Sequence, residues 1–406
     1  MTETIHTLVI GGGQAGVATS AHLQKHGVPH LVLERDRIAE RWRSWRWDSL
    51  VANGPAWHDR FPDAEFAGLD PDAFASKEAV ADYFVRFASD RSLPIRTGVE
   101  VTNLQRHGDT FRATTAQGEI EARNVVIATG PFQKPVIPTV ITDPTLTQLH
   151  SNAYKNPNAL PQGAVLVVGA GSSGAQIAEE LVRAGRPVYL SVGPHDRPPR
   201  RYRGQDFVWW LGKLGKWDAK APTPGTEHVT IAVSGAYGGH TMDFRRLAGL
   251  GVTLLGRAGA YDDGVLQIAD DLATNIANGD RNYLSVLDEA DAYATAHGLD
   301  LPEDPQARTL LPLPRCVTDP TLTLDLAAAG ITSVIWATGF QLDFGWIDLD
   351  IFRPDGRPRH QDGVTEVPGL YFVGLPWLSC RGSAFIWGAW KDAQRLAGLI
   401  AARGSA

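Results

Sequence analysis

Two glycine clusters carry the clearest chemistry in this chain. Gly11-Gly12-Gly13-Gln14-Ala15-Gly16 follows the apolar run Thr7-Leu8-Val9-Ile10. Gly169-Ala170-Gly171-Ser172-Ser173-Gly174 follows Val165-Leu166-Val167-Val168. Each has a helix-forming stretch after it. Strand, glycine turn and helix in that order seat a dinucleotide pyrophosphate on a helix N-terminus. Two such units predict a chain that holds two dinucleotides and moves electrons between them.

The residue at the end of the second strand of such a unit reads the adenosine ribose. In the first unit it is Glu34, eighteen residues after Gly16, followed by Arg35. A carboxylate accepts from free ribose hydroxyls and repels a 2′-phosphate, which suits FAD. The second unit has Ser191 there, with Arg197, Arg200, Arg201 and Arg203 downstream. Guanidinium groups pair well with a phosphate dianion. NADPH is therefore expected at the second site, with Arg197 and Arg201 as the expected 2′-phosphate contacts.

These units need strands and helices to hold them. The first helix is predicted from Gln14 to about His26, with Gly27 at its C-terminus, and the next strand over Pro29 to Leu33. The second helix is predicted over Ser172 to Ala184, ended by Gly185, then a strand over Pro187 to Leu190. A second repeat pairs with the first. Val125-Val126-Ile127-Ala128-Thr129-Gly130 and Val334-Ile335-Trp336-Ala337-Thr338-Gly339 are apolar strands that both leave through Ala-Thr-Gly. The proline-rich stretch Pro131 to Pro138 reads as a linker. The predicted fold is α/β with two Rossmann-like dinucleotide-binding domains, the second inserted in the first. The FAD domain takes residues 1–155 and 325–406. The NADPH domain takes 156–324, with a helical insertion over about 264–300.

Composition sets limits on the function. The chain has 406 residues, a formal net charge of -7 and 43% hydrophobic residues. That charge argues against a nucleic-acid partner. No apolar stretch reaches membrane-spanning length, and the first strand begins too early to leave room for a signal peptide. The two cysteines, Cys316 and Cys380, form no CxxC pair, so a cytoplasmic protein without a disulfide framework is expected. The twelve histidines show no paired metal-ligand spacing. The sequence leaves the oligomeric state open, a homodimer included.

With these motifs in place, the chain resembles the class B flavoprotein monooxygenases over nearly its whole length. His150-Ser151-Asn152-Ala153-Tyr154 matches the His and Tyr of that family's signature before the NADPH fingerprint, although its Phe and Gly are replaced by Pro144 and Leu146. Asn53-Gly54-Pro55 matches the family's Asn-Gly-Pro, whose Asn points at the flavin. It follows Arg41-Trp42-Arg43-Ser44-Trp45-Arg46-Trp47, where the family places residues around the flavin ring. The resemblance implies that NADPH reduces FAD, that O₂ adds to give a C4a-(hydro)peroxyflavin, and that one oxygen atom passes to a small nucleophilic or carbonyl substrate. It assigns Asn53 the catalytic hydrogen bond. Gly11, Gly13, Gln14, Ala15, Gly16, Glu34, Arg35, Arg41, Trp42, Ala128, Thr129 and Gly130 then belong to the FAD side. Gly169, Gly171, Ser172, Ser173, Gly174, Ser191, Arg197, Arg201, Ala337, Thr338 and Gly339 belong to the NADPH side.

Two segments stay open at this stage. His150 reads as a domain-interface residue or as part of the active site. Phe207-Val208-Trp209-Trp210-Leu211, with Trp217, reads as an ordinary packed helix face or as a wall of the substrate entrance. Two competing functions also stay open: a flavoprotein reductase serving another acceptor, and a dinucleotide-sensing regulatory flavoprotein.

Overall fold

A computed structural model describes residues 2–221 and 230–404. Two sheets organise it. The first runs in the order Ile347–Asp348, Val101–His107, Thr110–Thr115, Gly118–Ile127, Glu3–Ile10, His30–Glu34, Ile95–Thr97. Leu370–Phe372 adds alongside the end of Gly118–Ile127, with Leu370 opposite Val125 and Phe372 opposite Ile127. The second sheet runs Val252–Leu255, Val188–Ser191, Ala164–Val168, Ile331–Trp336, Thr147–His150, all parallel.

The strands that precede the two fingerprints are buried on both faces, which is why they read as unbroken apolar runs rather than alternating ones. Both helices begin and end where the glycines dictate. Gln14–Lys25 stops before Gly27, at φ +67°, and Ser172–Arg183 stops before Gly185, at φ +79°.

Sheet membership differs from the sequence-based boundaries. Thr147–His150 and Ile331–Trp336 were both expected with the FAD part, at the 155 and 325 limits, but they pair in the second sheet. The reason is strand pairing across the fold. Ile331–Trp336 finds its register against Ala164–Val168, so the second Ala-Thr-Gly closes the second unit as the first closes the first. The chain crosses between sheets through two strands that pair with each other, Lys134–Pro135 with Phe340–Gln341. Gln133 adds a side-chain bond, its Oε1 accepting from Asp343 N at 2.6 Å.

The expected helical insertion also starts later. Val265–Ile268 is a strand in a small three-stranded sheet, and the helix runs Leu272–Ala296. Ile268 therefore packs from a strand, while Leu272 and Ile276 enter the core under the second fingerprint helix. Among the described residues no helix is long and apolar enough to cross a membrane.

The first fingerprint helix packs on the C-terminal helix, Ile386–Gly404, and one contact there responds to pH. His22 is 3% exposed and lies 4.1 Å from the Trp390 ring. Burial, helped by the positive charge of Lys25 and His26, pushes its pKa down from 6.5 to about 4. Above pH 6.5 the ring is neutral whether folded or not. As pH falls from 6.5 towards 4, the unfolded chain gains a proton that the folded one refuses, so stability is lost across that window. His22→Leu is expected to reduce the stability difference between pH 7 and pH 4.5 by about 2 kcal/mol. Denaturant midpoints at the two pH values measure it, and an unchanged difference would contradict the assignment.

Candidate functional site

The first fingerprint has the shape of a pyrophosphate cradle. Gly11 sits at φ +112°, and a Cβ there would lie 2.6 Å from the Ala128 carbonyl oxygen. A Cβ on Gly16 would lie 1.8 Å from the Gly11 oxygen. These two glycines let helix, strand and Ala-Thr-Gly exit close on one another. Gly13 is different: nothing stands within 4 Å of its Cβ direction, so the helix mouth is open. The first-turn amides of Gln14, Ala15 and Gly16 have no intrahelical acceptor and face an anion well.

Around this mouth, Glu34 Oε2 accepts from Gly12 N at 2.5 Å and Oε1 accepts from Asp36 N at 2.9 Å. The carboxylate thus stands at the strand end beside the fingerprint, as ribose recognition needs. Gln14 Nε2 donates to the Ala384 carbonyl at 2.8 Å and holds the turn Arg381–Ala384 against the mouth. Thr129 Oγ1 and the Gly130 carbonyl both accept from Gln133 Nε2, at 3.1 and 2.6 Å. Arg35 is exposed and pairs with Asp36 and Glu100 at 3.2 and 3.7 Å. The donor set and the glycine geometry fit an FAD.

The aromatic-basic run connects the two halves. Trp42 packs against the cores of both sheets, and Trp47 is buried in the second. Arg41 lies over the Trp45 ring at 3.2 Å, with burial lowering its pKa to about 10. Trp45 in turn stacks on Phe340 of the crossing strand.

The second fingerprint repeats the packing. A Cβ on Gly169, at φ +125°, would lie 2.5 Å from the Ala337 oxygen, and one on Gly174 would lie 1.9 Å from the Gly169 oxygen. Thr338 Oγ1 donates to Val136 O at 2.5 Å. Its mouth is more covered than the first. Ser172 donates from both N and Oγ to the Ile231 carbonyl, at 2.8 and 2.9 Å, leaving Ser173 and Gly174 as the remaining first-turn amides. A Cβ on Gly171 would meet Thr230 Cγ2 at 3.5 Å. The glycine geometry fits a second dinucleotide.

The expected 2′-phosphate contacts are not where the sequence suggested. Ser191 is 3% exposed, and its hydroxyl is consumed by Gly256 O at 2.9 Å and Ala258 N at 3.0 Å. Arg197 is 2% exposed and engages Asp280 at 2.7 Å and Asp243 at 3.8 Å, so two carboxylates already hold its charge. Arg201 lies in a hairpin whose Tyr202 hydroxyl bonds Asp291 at 2.8 Å. Asp271, at the start of the same long helix, bonds Arg257 beside the Ser191 strand end. Twenty residues of helix separate the two carboxylates, roughly 30 Å, too far for Arg201 to reach that end. The side chain that stands there is Arg257. It lies 3.4 Å from the Cβ direction of Gly193, is 63% exposed, and pairs with Asp271 at 2.6 Å. No pattern in the sequence marked it, because it comes from the connection that follows the neighbouring strand Val252–Leu255.

Asn53 sits where the halves meet. Its Oδ1 accepts from Gln176 Nε2, on the second fingerprint helix, at 2.9 Å. Its backbone carbonyl accepts from Arg200 Nη1 at 2.6 Å. Arg200 is buried and held by Asp206 at 2.5 Å, and burial lowers its pKa. Gly54 N donates to Asp59 Oδ2 at 2.8 Å, and a Cβ on Gly54 would strike that carboxylate at 2.5 Å. With its oxygen held by Gln176, the Asn53 amide keeps its N–H₂ group uncommitted: among the described residues nothing accepts from it. Gln176 and Asp59 were not singled out in the sequence, and Arg200 was read there as part of the arginine run after Ser191 rather than as a support for Asn53.

The two open segments resolve into specific contacts. His150 bonds the Gly339 carbonyl through Nε2 at 2.9 Å and Asn152 through Nδ1, and burial lowers its pKa. Tyr154, fully buried, donates to Glu180 at 2.7 Å. Both fasten the second unit together. Trp210 is core, donating to the Tyr202 carbonyl at 2.9 Å. Trp209 stands edge-on to Trp210 at 4.9 Å, and Trp217 instead joins His58, Trp387 and Phe385.

Comparison with known proteins agrees with this architecture. Residues 8–207 match the family model described as pyridine nucleotide-disulphide oxidoreductase. The chain is 33% identical, over 98% of both lengths, to an uncharacterized CzcO-like oxidoreductase of Geobacillus kaustophilus. It is 32% identical over 192 residues, 46% of each chain, to the probable indole-3-pyruvate monooxygenase YUCCA1 of Arabidopsis thaliana. Among solved structures, the flavin-containing monooxygenase of Stenotrophomonas maltophilia superposes with a TM-score of 0.67 at 18% identity, covering 99% of this chain and 100% of that one. The chain belongs to the family of the CzcO-like oxidoreductases and has the fold of the flavin-containing monooxygenases.

Proposed function

We propose that this protein is an NADPH-dependent, FAD-containing monooxygenase that transfers one atom of O₂ to a small nucleophilic or carbonyl substrate. The observation that carries the reading is the Asn53 amide, tied to Gln176 of the second fingerprint helix and carried on the first half of the chain. FAD belongs to the first sheet and NADPH to the second, with Gly11, Gly13 and Gly16 and Gly169, Gly171 and Gly174 as the respective cradles. The bound cofactors supply hydride and, with O₂, the oxygen atom to be transferred.

The chain's own residues do the rest. Glu34 takes the ribose of FAD. Arg257 takes the 2′-phosphate of NADPH in exchange for its present pairing with Asp271. Gln176 fixes the Asn53 oxygen, so that the amide N–H₂ would serve as the free donor once FAD is bound. Asp59 and Arg200 keep the Asn53-Gly54-Pro55 turn from moving. A preorganised donor of this kind stabilises developing negative charge without reorganising at the moment of reaction. The unpaired cysteines Cys316 and Cys380 suit a reducing, cytoplasmic setting.

Stopped-flow absorbance tests the reading. Protein reduced by NADPH and mixed with oxygenated buffer is expected to show a transient band at roughly 370 to 390 nm before oxidised flavin returns. Direct return without the band would favour a reductase. Asn53→Asp, similar in shape but without the N–H₂ donor, is expected to shorten that transient by about 10²-fold. It should leave flavin reduction by NADPH near the wild-type rate. An unchanged transient would remove Asn53 from the mechanism.

Two binding experiments test the cofactor assignments. Glu34→Ala is expected to weaken FAD retention by roughly ten- to a hundredfold, read by flavin release on dilution. Arg257→Gln is expected to raise KM for NADPH roughly tenfold and leave that for NADH unchanged. Arg201→Gln should change neither. A selective NADPH defect in Arg201→Gln would reverse the assignment.

A further inference from the structure

A histidine outside the assigned cofactor contacts is buried with a ring nitrogen that nothing satisfies. His58 Nδ1 lies 2.7 Å from Asp59 Oδ1, and the other oxygen of that carboxylate accepts from Gly54 N. Both carboxylate oxygens are thus engaged. The tautomer that donates from Nδ1 to this carboxylate carries its lone pair on Nε2. The His58 side chain is 9% exposed, and among the described residues Nε2 has no partner. Leaving a buried acceptor unpaired costs about 1–3 kcal/mol.

What surrounds that nitrogen is aromatic. The ring centroids of Trp57, Trp217 and Trp387 lie 5.6, 5.6 and 5.7 Å from that of His58. Trp387 Nε1 is also buried and unpartnered, and an indole nitrogen can only donate. The cluster therefore holds one unused acceptor and one unused donor among apolar ring faces. Phe385, 41% exposed and 4.9 Å from Trp217, forms its open edge. The next residue back, Ala384, is the one bonded to Gln14 of the first fingerprint. On the other side, Asp59 binds Gly54, the neighbour of Asn53. The cluster lies between the Asn53 turn and the first dinucleotide mouth.

We propose that this cluster is the substrate-binding element, in which His58 Nε2 accepts a hydrogen bond from an O–H or N–H group of a planar, mainly apolar substrate. Trp387 Nε1 donates to an acceptor on the same substrate, and the three indole rings hold its apolar part. A hydroxyl on an aromatic ring meets both needs, since it donates and accepts at once. Asp59 is a positioning residue, orienting the histidine and the Asn53 turn together. The proposal rests on the oxygenation reading for its location but not for its test.

Isothermal titration calorimetry of the FAD-loaded protein with phenol and with toluene decides it. Phenol is expected to bind roughly tenfold more tightly than toluene. His58→Phe should remove that preference while still binding toluene. Trp209→Ala, outside the cluster, should preserve it. Equal affinity for both probes in the wild type, or no binding of either, would overturn the proposal. So would a preference that survives in His58→Phe. The wild-type comparison decides alone if a variant does not fold. No turnover is read, so a failed titration leaves the oxygenation reading to the stopped-flow test.

Discussion

At two pairs of glycines the backbone packs so closely that no side chain fits, and both fingerprints are arranged around them. Gly16 presses on the carbonyl of Gly11, and Gly11 presses on the carbonyl of Ala128. Gly174, Gly169 and Ala337 repeat the same stack in the second half. Any side chain at these positions would have to displace backbone. The contacts bring a helix N-terminus, a strand end and a returning strand to one point, where the first-turn amides have no intrahelical acceptor and, Ser172 apart, are open to a ligand. Each half of the chain exists to make one such point. The last strand adds a third approach: a Cβ on Gly374 would lie 2.6 Å from Ala15 Cβ, which brings the C-terminal segment onto the first mouth.

Several contacts tie the two points together. The crossing strands Lys134–Pro135 and Phe340–Gln341 pair, so the linkers are not loose. Trp42 is shared between two cores. Asn53 is bonded from the second half by Gln176 and Arg200 and braced from its own half through Asp59. Gln176 also donates to Val233 O at 2.6 Å, so the bond that orients Asn53 is anchored at both ends. A carboxamide held through its oxygen offers only N–H, and that polarity suits a site where negative charge develops.

The sequence displayed whatever is local and periodic. The fingerprints, the glycine helix ends, both Ala-Thr-Gly exits and the acid at Glu34 all depend on residues a few positions apart. The strands beneath them are unbroken apolar runs for a physical reason: they are covered on both faces. Features set by pairing across the fold were harder to see. Nothing in Ile331–Trp336 says which sheet it joins, because register against Ala164–Val168 decides that. The arginine run after Ser191 looked like a phosphate site, but Asp206 just beyond it and Asp280 and Asp291 far along the chain hold Arg200, Arg197 and Arg203. Arg257 stands at the strand end and Gln176 beside Asn53 only after folding. His58 and Asp59 adjoin the Asn-Gly-Pro turn in sequence, yet their role shows only when Trp217 and Trp387 close over them.

Hydride transfer from NADPH to FAD, as proposed, needs the two dinucleotide sites that Asn53 and Gln176 tie together to act on one another directly. Anaerobic titration of the FAD-loaded protein with NADPH tests that most directly. The account predicts that one equivalent of NADPH bleaches the flavin completely, with no acceptor added. Tight binding of NADPH with the flavin left oxidised would contradict it, and would mean that the two sites do not exchange electrons.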